Sequence, residues 1–131
     1  MTLDTAEDQD ALKLRAMQGD ATAQFLLGTI FDEGRGVPVD ERAAAQWFRQ
    51  AAAQGHAGAQ CNLGVMYASG RGVVQDDREA VNWYRLAAEQ GDKDAQFLLG
   101  MAHGLGRGVP RNIDEAKKWY RKMGEPDRPH A

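Results

Sequence analysis

Apolar residues fall along this chain at helical spacing, in two registers that alternate. Ala23, Leu27, Ile30 and Phe31 mark one face of a helix predicted over residues 21–33. After a polar gap, Ala44, Trp47, Phe48, Ala51 and Ala52 mark a second helix. Gly34 stands where a left-handed residue closes the first helix, Asp40 where a side-chain oxygen caps the second, and Gly55 where the second ends. The pattern then returns twice at an interval of 36 residues, with no insertion or deletion. Such a period belongs to a stack of supersecondary units, none of which can bury its apolar face alone.

The columns of that repeat carry the argument. The segment Gly34-Arg35-Gly36-Val37-Pro38 recurs as Gly70-Arg71-Gly72-Val73-Val74 and Gly106-Arg107-Gly108-Val109-Pro110. It joins the two helices of each unit, with Val37 and its copies expected to tuck beneath the turn. Asp76 and Asn112 repeat the cap of Asp40, and Glu79 and Glu115 follow them at capping-box spacing. Asp20 and Asp92 cap the first helices, with His56 a weaker substitute in the middle copy. All three tryptophans, Trp47, Trp83 and Trp119, share one column, each followed by Phe48, Tyr84 or Tyr120. Gly28, Gly64 and Gly100 sit inside the first helices, where glycine costs about 1 kcal/mol relative to alanine. A cost taken three times predicts a close helix approach with no room for a Cβ against the paired aromatics.

The ends depart from the repeat. Asp4 to Gly19 matches Asp40 to Gly55 with Trp47 replaced by Ala11 and Ala44 by Asp8, an orphan second helix with a polar outer face. In the last copy Lys117, Lys118 and Lys122 replace Val81, Asn82 and Leu86, and Gly124 replaces Ala88 and should stop the helix early. Both ends are expected to be polar caps, which a linear stack needs for solubility. By period, residues 1–19 form an N-terminal cap helix, 20–55, 56–91 and 92–124 three repeats, and 125–131 a frayed tail carrying Pro126 and Pro129.

Composition narrows the function. A net charge of −3 on 131 residues, with both signs dispersed, gives no footing for nucleic acid or an anionic membrane. No apolar run approaches the roughly 20 residues of a membrane helix, so membrane insertion is not expected. The acidic, polar start lacks the features of a signal peptide, which predicts a cytoplasmic protein; a leader removed beforehand would leave the same sequence. The single cysteine, Cys61, shares a column with Phe25 and Phe97 and reads as a small apolar filler, with no base in view to activate it.

The run from Ala59 through Leu63-Gly64, Tyr67 and Gly70-Arg71-Gly72-Val73, then Asp76, Ala80, Trp83-Tyr84, Ala87-Ala88 and Gly91, resembles the Sel1-like repeat family, relatives of the tetratricopeptide repeats. The resemblance covers nearly the whole chain; His103 in place of an aromatic and Val74 in place of proline are its main departures. It implies an all-α fold: a right-handed α-α solenoid of three Sel1-like helix pairs with an N-terminal capping helix, first helices lining the concave side. It also implies a non-catalytic adaptor or scaffold that binds a protein or peptide. A cysteine-rich branch of the family is linked to penicillin binding and hydrolysis, so the alternative is a small hydrolase or ligand-binding protein of that kind, or an inhibitor or immunity-type binding protein. That branch pairs cysteines within each repeat, and this chain has one.

Candidate chemistry is sparse. His56, His103 and His130 are scattered, no metal-ligand spacing appears, and no nucleophile stands with a base, so neither metal, cofactor nor catalysis is expected. His103 reads as a packed, hydrogen-bonded core histidine. Binding is sought where the repeat leaves positions free. Beside the packed face of the first helices these are Thr22, Phe25, Leu26, Thr29 and Glu33 in the first copy. The second copy offers Cys61, Asn62, Val65 and Ser69, and the third Phe97, Leu98, Met101 and Leu105. Together they make a strip apolar at its ends, suited to a peptide or partner helix. Phe25 and Phe97 could instead pack between repeats, and Leu98, Met101 and Leu105 are the better candidates for exposure. Arg35, Arg71 and Arg107 form an edge ladder that either receives acidic side chains of a partner or bonds nearby cap aspartates and helix-end carbonyls. Asp4, Glu7, Asp8 and Asp10 at one end oppose Lys117, Lys118, Arg121 and Lys122 at the other. A monomer is expected, with weak head-to-tail association the alternative that those charges raise.

Overall fold

A computed structural model of the protein describes residues 6–126. Asp4, His130 and Pro129 therefore lie outside the described residues, as do the side chains of Ala6 and Glu7. Among those described, seven helices follow one another without a strand: α1 (Ala6–Met17), α2 (Ala21–Glu33), α3 (Glu41–Ala53), α4 (Ala57–Ser69), α5 (Asp77–Glu89), α6 (Lys93–Leu105) and α7 (Ile113–Met123). Each packs chiefly on its neighbours in sequence, as in an α-α solenoid.

Local chemistry sets the helix ends. Asp20, Asp40, Asp76, Asp92 and Asn112 each accept from a backbone N–H of the first turn, and His56 does so through Nδ1, from Ala59 at 3.1 Å. Gly34, Gly70 and Gly106 close α2, α4 and α6 in the left-handed region, with φ of 69°, 68° and 69°. The capping boxes expected at Glu79 and Glu115 form only by half. The N–H of Asp76 donates instead to Tyr67 O at 2.9 Å, and that of Asn112 to His103 O at 2.8 Å. These bonds fold each joint back on the helix it leaves, so the returning arm of a glutamate has no free donor to meet.

The glycines inside α2, α4 and α6 mark close helix approach. A Cβ at Gly28, Gly64 or Gly100 would lie 2.6 Å from a ring carbon of Phe48, Tyr84 or Tyr120 respectively. Gly72 and Gly108 make a contact of another kind. A Cβ there would lie 2.2 Å from Glu41 O and 2.3 Å from Asp77 O, backbone of the preceding repeat.

Buried glutamines bind successive repeats, a role the aligned column did not reveal. Gln24, Gln60 and Gln96 donate to Ala16 O, Ala52 O and Ala88 O at 3.0, 3.2 and 3.1 Å, across each repeat boundary. Gln54 and Gln90 donate in turn to the side-chain oxygens of Gln24 and Gln60, both at 2.8 Å. Gln96 Oε1 is buried with no partner, because Pro126 stands one period after Gln90 and α7 stops at Met123, capped by Gly124.

The ends are less polar than expected. Leu12 and Ala16 of α1 face the core, but Leu14 and Met17 are exposed. At the other end Phe97, Leu105 and Ile113 are exposed among the described residues. Lys118 and Lys122 do screen Trp119, their ammonium groups 5.6 and 5.4 Å from its ring.

Candidate functional site

Between α4 and α6, floored by α5, lies an open cavity of about 390 Å³. Val65, Ala68 and Ser69 form one wall and Leu98, Met101, Ala102 and Leu105 the other. Ala80, Val81 and Tyr84 make the floor, and Asp77 and Arg107 stand at one lip. The cavity owes its depth to small side chains. The column that carries Ile30 and Met66 carries Ala102 here, and Ala68 stands where the previous repeat has Asp32. Met66 is 1% exposed, filling the corresponding space between the first two repeats.

The site is apolar with a charged rim. Arg107 Nη2 lies 3.7 Å from Asp77 Oδ1, an oxygen that also accepts from Gln75 Nε2 at 2.9 Å. Burial pushes the Tyr84 phenol up to about 12, aided by Cys61 and Asp77 and opposed by Arg107. The Cys61 thiol is likewise pushed up to about 12, by burial first and then by Asp92 and Asp94. Neither is ionised near neutral pH, so neither offers a ready nucleophile. Among the described residues, no three His, Cys, Asp or Glu side chains converge as a metal site would require.

Three consecutive copies of one family pattern match the chain, the Sel1 repeat, at residues 21–56, 57–92 and 93–125. The chain belongs to the Sel1 repeat family. Its fold is similar to that of a protective antigen of uropathogenic Escherichia coli displaying an SLR fold, with a TM-score of 0.90 and 42% identity over 94% of this chain. A Sel1 repeat protein of Oxalobacter formigenes matches over 89% of this chain at 39% identity and a TM-score of 0.85. The chain spans only 26% of the first structure and 48% of the second. Cysteine rich protein B of Helicobacter pylori shares the fold over 95% of both chains, with 24% identity and a TM-score of 0.68. No curated protein matches the sequence significantly.

Within this Sel1 solenoid, the residues proposed from sequence separate into groups. Val65, Ser69, Leu98, Met101, Leu105 and Arg107 come together around the cavity. Cys61 does not belong to an accessible strip: it is 6% exposed, covered where the third repeat stacks on the second. Phe25 is packed between repeats, its ring 4.5 Å from that of His56 and 5.9 Å from that of Phe48. Phe97, one stack position from the end, stays exposed beside Tyr120 at 6.0 Å. Leu26 and Asn62 are half-buried, Thr29 turns its hydroxyl onto Phe25 O, and Glu33 pairs with Arg35 at 3.5 Å. The arginine ladder makes ion pairs, but not to the N-cap residues. Arg71 reaches back to Asp32 and Glu41 of the preceding repeat, and Arg107 to Asp77. His103 is half-buried, yet its Nδ1 has no hydrogen-bond partner, contrary to expectation.

Ala68, Ala80, Val81, Tyr84 and Ala102 were missed. The free positions on the first helices point to the walls alone, whereas the floor comes from α5. A signal was present in the fall from Ile30 and Met66 to Ala102 down one column.

Proposed function

We propose that this protein is a non-catalytic interaction module that binds a peptide or partner protein in the groove between α4 and α6. Sel1 repeat proteins are generally protein-interaction modules, and the family is typically non-catalytic. No helix among the described residues is long and apolar enough to cross a membrane. The observation that supports this reading is an open apolar cavity of about 390 Å³, with Met101 and Leu105 exposed along one wall. An apolar side chain of a partner would gain by leaving water there, at roughly 25 cal/mol per Å² buried.

Two glutamates in that wall test the reading. The Leu98→Glu/Met101→Glu variant would have to bury charge against the partner, which unpaired carboxylates resist strongly. Affinity capture with wild type recovers a partner that the double variant, matched to it by circular dichroism, fails to recover. Equal recovery by both would remove the groove from the binding surface.

A further inference from the structure

The two inter-repeat clefts share an architecture and differ in how their rim charge is satisfied. In the first, between α2 and α4, Arg71 donates to Asp32 Oδ1 at 2.9 Å and lies 3.6 Å from Glu41 Oε2. One period on, Arg107 takes the same place at the lip of the second cleft. Ala68 replaces Asp32 there, and the shorter Asp77 replaces Glu41. Arg107 comes no nearer to Asp77 than 3.7 Å, and Gln75 already occupies the same oxygen. Its side chain is 59% exposed, against 41% for Arg71. The second cleft keeps the cation and lacks the carboxylate that the first supplies from within.

We infer that the second cleft takes a peptide segment in which a carboxylate side chain stands beside a large apolar one. The carboxylate sits against Arg107 as Asp32 sits against Arg71. The apolar side chain enters the cavity over Val81 and Ala102. This rests on the groove reading above and adds to it the chemistry of the occupant. A guanidinium bonds a carboxylate through charge-assisted N–H donors, and at a half-exposed rim such a bond selects partner and register more than it adds affinity.

The test is selection of a random dodecapeptide library displayed on phage against the full chain. Enriched peptides carry Asp or Glu within a residue or two of Leu, Met or Phe. A synthetic peptide of that consensus loses about tenfold in affinity when its acid becomes the amide, and about as much against Arg107→Gln. Ala68→Asp restores the internal carboxylate of the first cleft in a position where α2 already tolerates aspartate. Because Ala68 lines the cavity, this change weakens both peptides, but the acidic one by about tenfold more than its amide twin. Arg71→Gln changes neither. A consensus that is apolar without acids leaves the groove reading standing and overturns the carboxylate. No enrichment above an uncoated surface overturns the groove reading, and this inference with it.

Discussion

The middle repeat and the last one follow the same column pattern and meet different fates. Tyr84 is 5% exposed and Tyr120 37%; Cys61 is 6% exposed and Phe97, a far larger apolar side chain, 44%. Gln60 has both ends of its amide bonded, whereas the oxygen of Gln96 is left without a donor. Burial in a stack is conferred by the next unit and not by the residue itself. Corresponding columns therefore carry unequal energies, and that inequality can be measured.

The largest expected effect is at the helix crossings. Gly64→Leu drives a side chain into Tyr84 and the Ala80 carbonyl, which the neighbouring repeats hold in place, and should cost about 3 kcal/mol or more in a urea melt. The same change at Gly100 meets Tyr120, which is partly exposed and can swing toward solvent, and should cost less than half as much. Equal losses would show that the last repeat is as tightly held as the middle one, and the comparison would fail.

A gain is expected from completing the glutamine ladder. Gly124→Ala with Pro126→Gln extends α7 and brings an amide donor to the oxygen of Gln96, where Gln90 serves Gln60. One new buried hydrogen bond and the removal of a helix glycine should add about 1 kcal/mol or more to the free energy of unfolding. No gain, with helix content increased, would mean that Gln96 is satisfied in another way.

Acid should act on the last repeat as well. His103 occupies the column of Phe31 and Tyr67, and burial lowers its pKa below the usual 6.5. Glu115 opposes the shift, while Arg85 and Lys118 reinforce it. The unfolded chain therefore takes up a proton more readily than the folded one. Stability contributed by the neutral ring is present above the ordinary histidine range and declines as pH falls through it. His103→Phe should flatten that decline between neutral and mildly acid pH; an unchanged slope would remove His103 as its source.

The smallest effect is a silence in the middle repeat. With its thiol pushed up to about 12 and covered by the third repeat, Cys61 should react with a thiol reagent only as fast as the stack opens. Prompt labelling of the native protein would show that the boundary between the second and third repeats is looser than described.

The fold was legible because its determinants are local. A cap aspartate, a closing glycine and a 3–4 apolar spacing each act within a turn or two, and Asp40, Gly34 and the Trp47 column could be read without knowing what lay across from them. Gly64 was legible too, since a repeated penalty inside a helix has few physical excuses. The groove was half legible. Leu98, Met101 and Leu105 announce themselves as apolar positions that the core does not require, but the cavity depends on what is small: Ala102 and Ala68 leave space only in relation to α5, and a methyl group carries no sign of the void above it. Cys61 misled for the same reason in reverse, because its cover arrives from α6, a full repeat away.

The second glycine of each joint has a consequence for how such a surface can change. At Gly72 and Gly108 the chain is pressed against the main chain of Glu41 and Asp77, closer than any side chain would permit. The step from one unit to the next is thus gauged by backbone meeting backbone, like teeth cut to a common pitch. Exposed residues on the cleft wall, such as Met101 and Leu105, can be exchanged without altering that pitch, so specificity and spacing are inherited on separate parts of the chain.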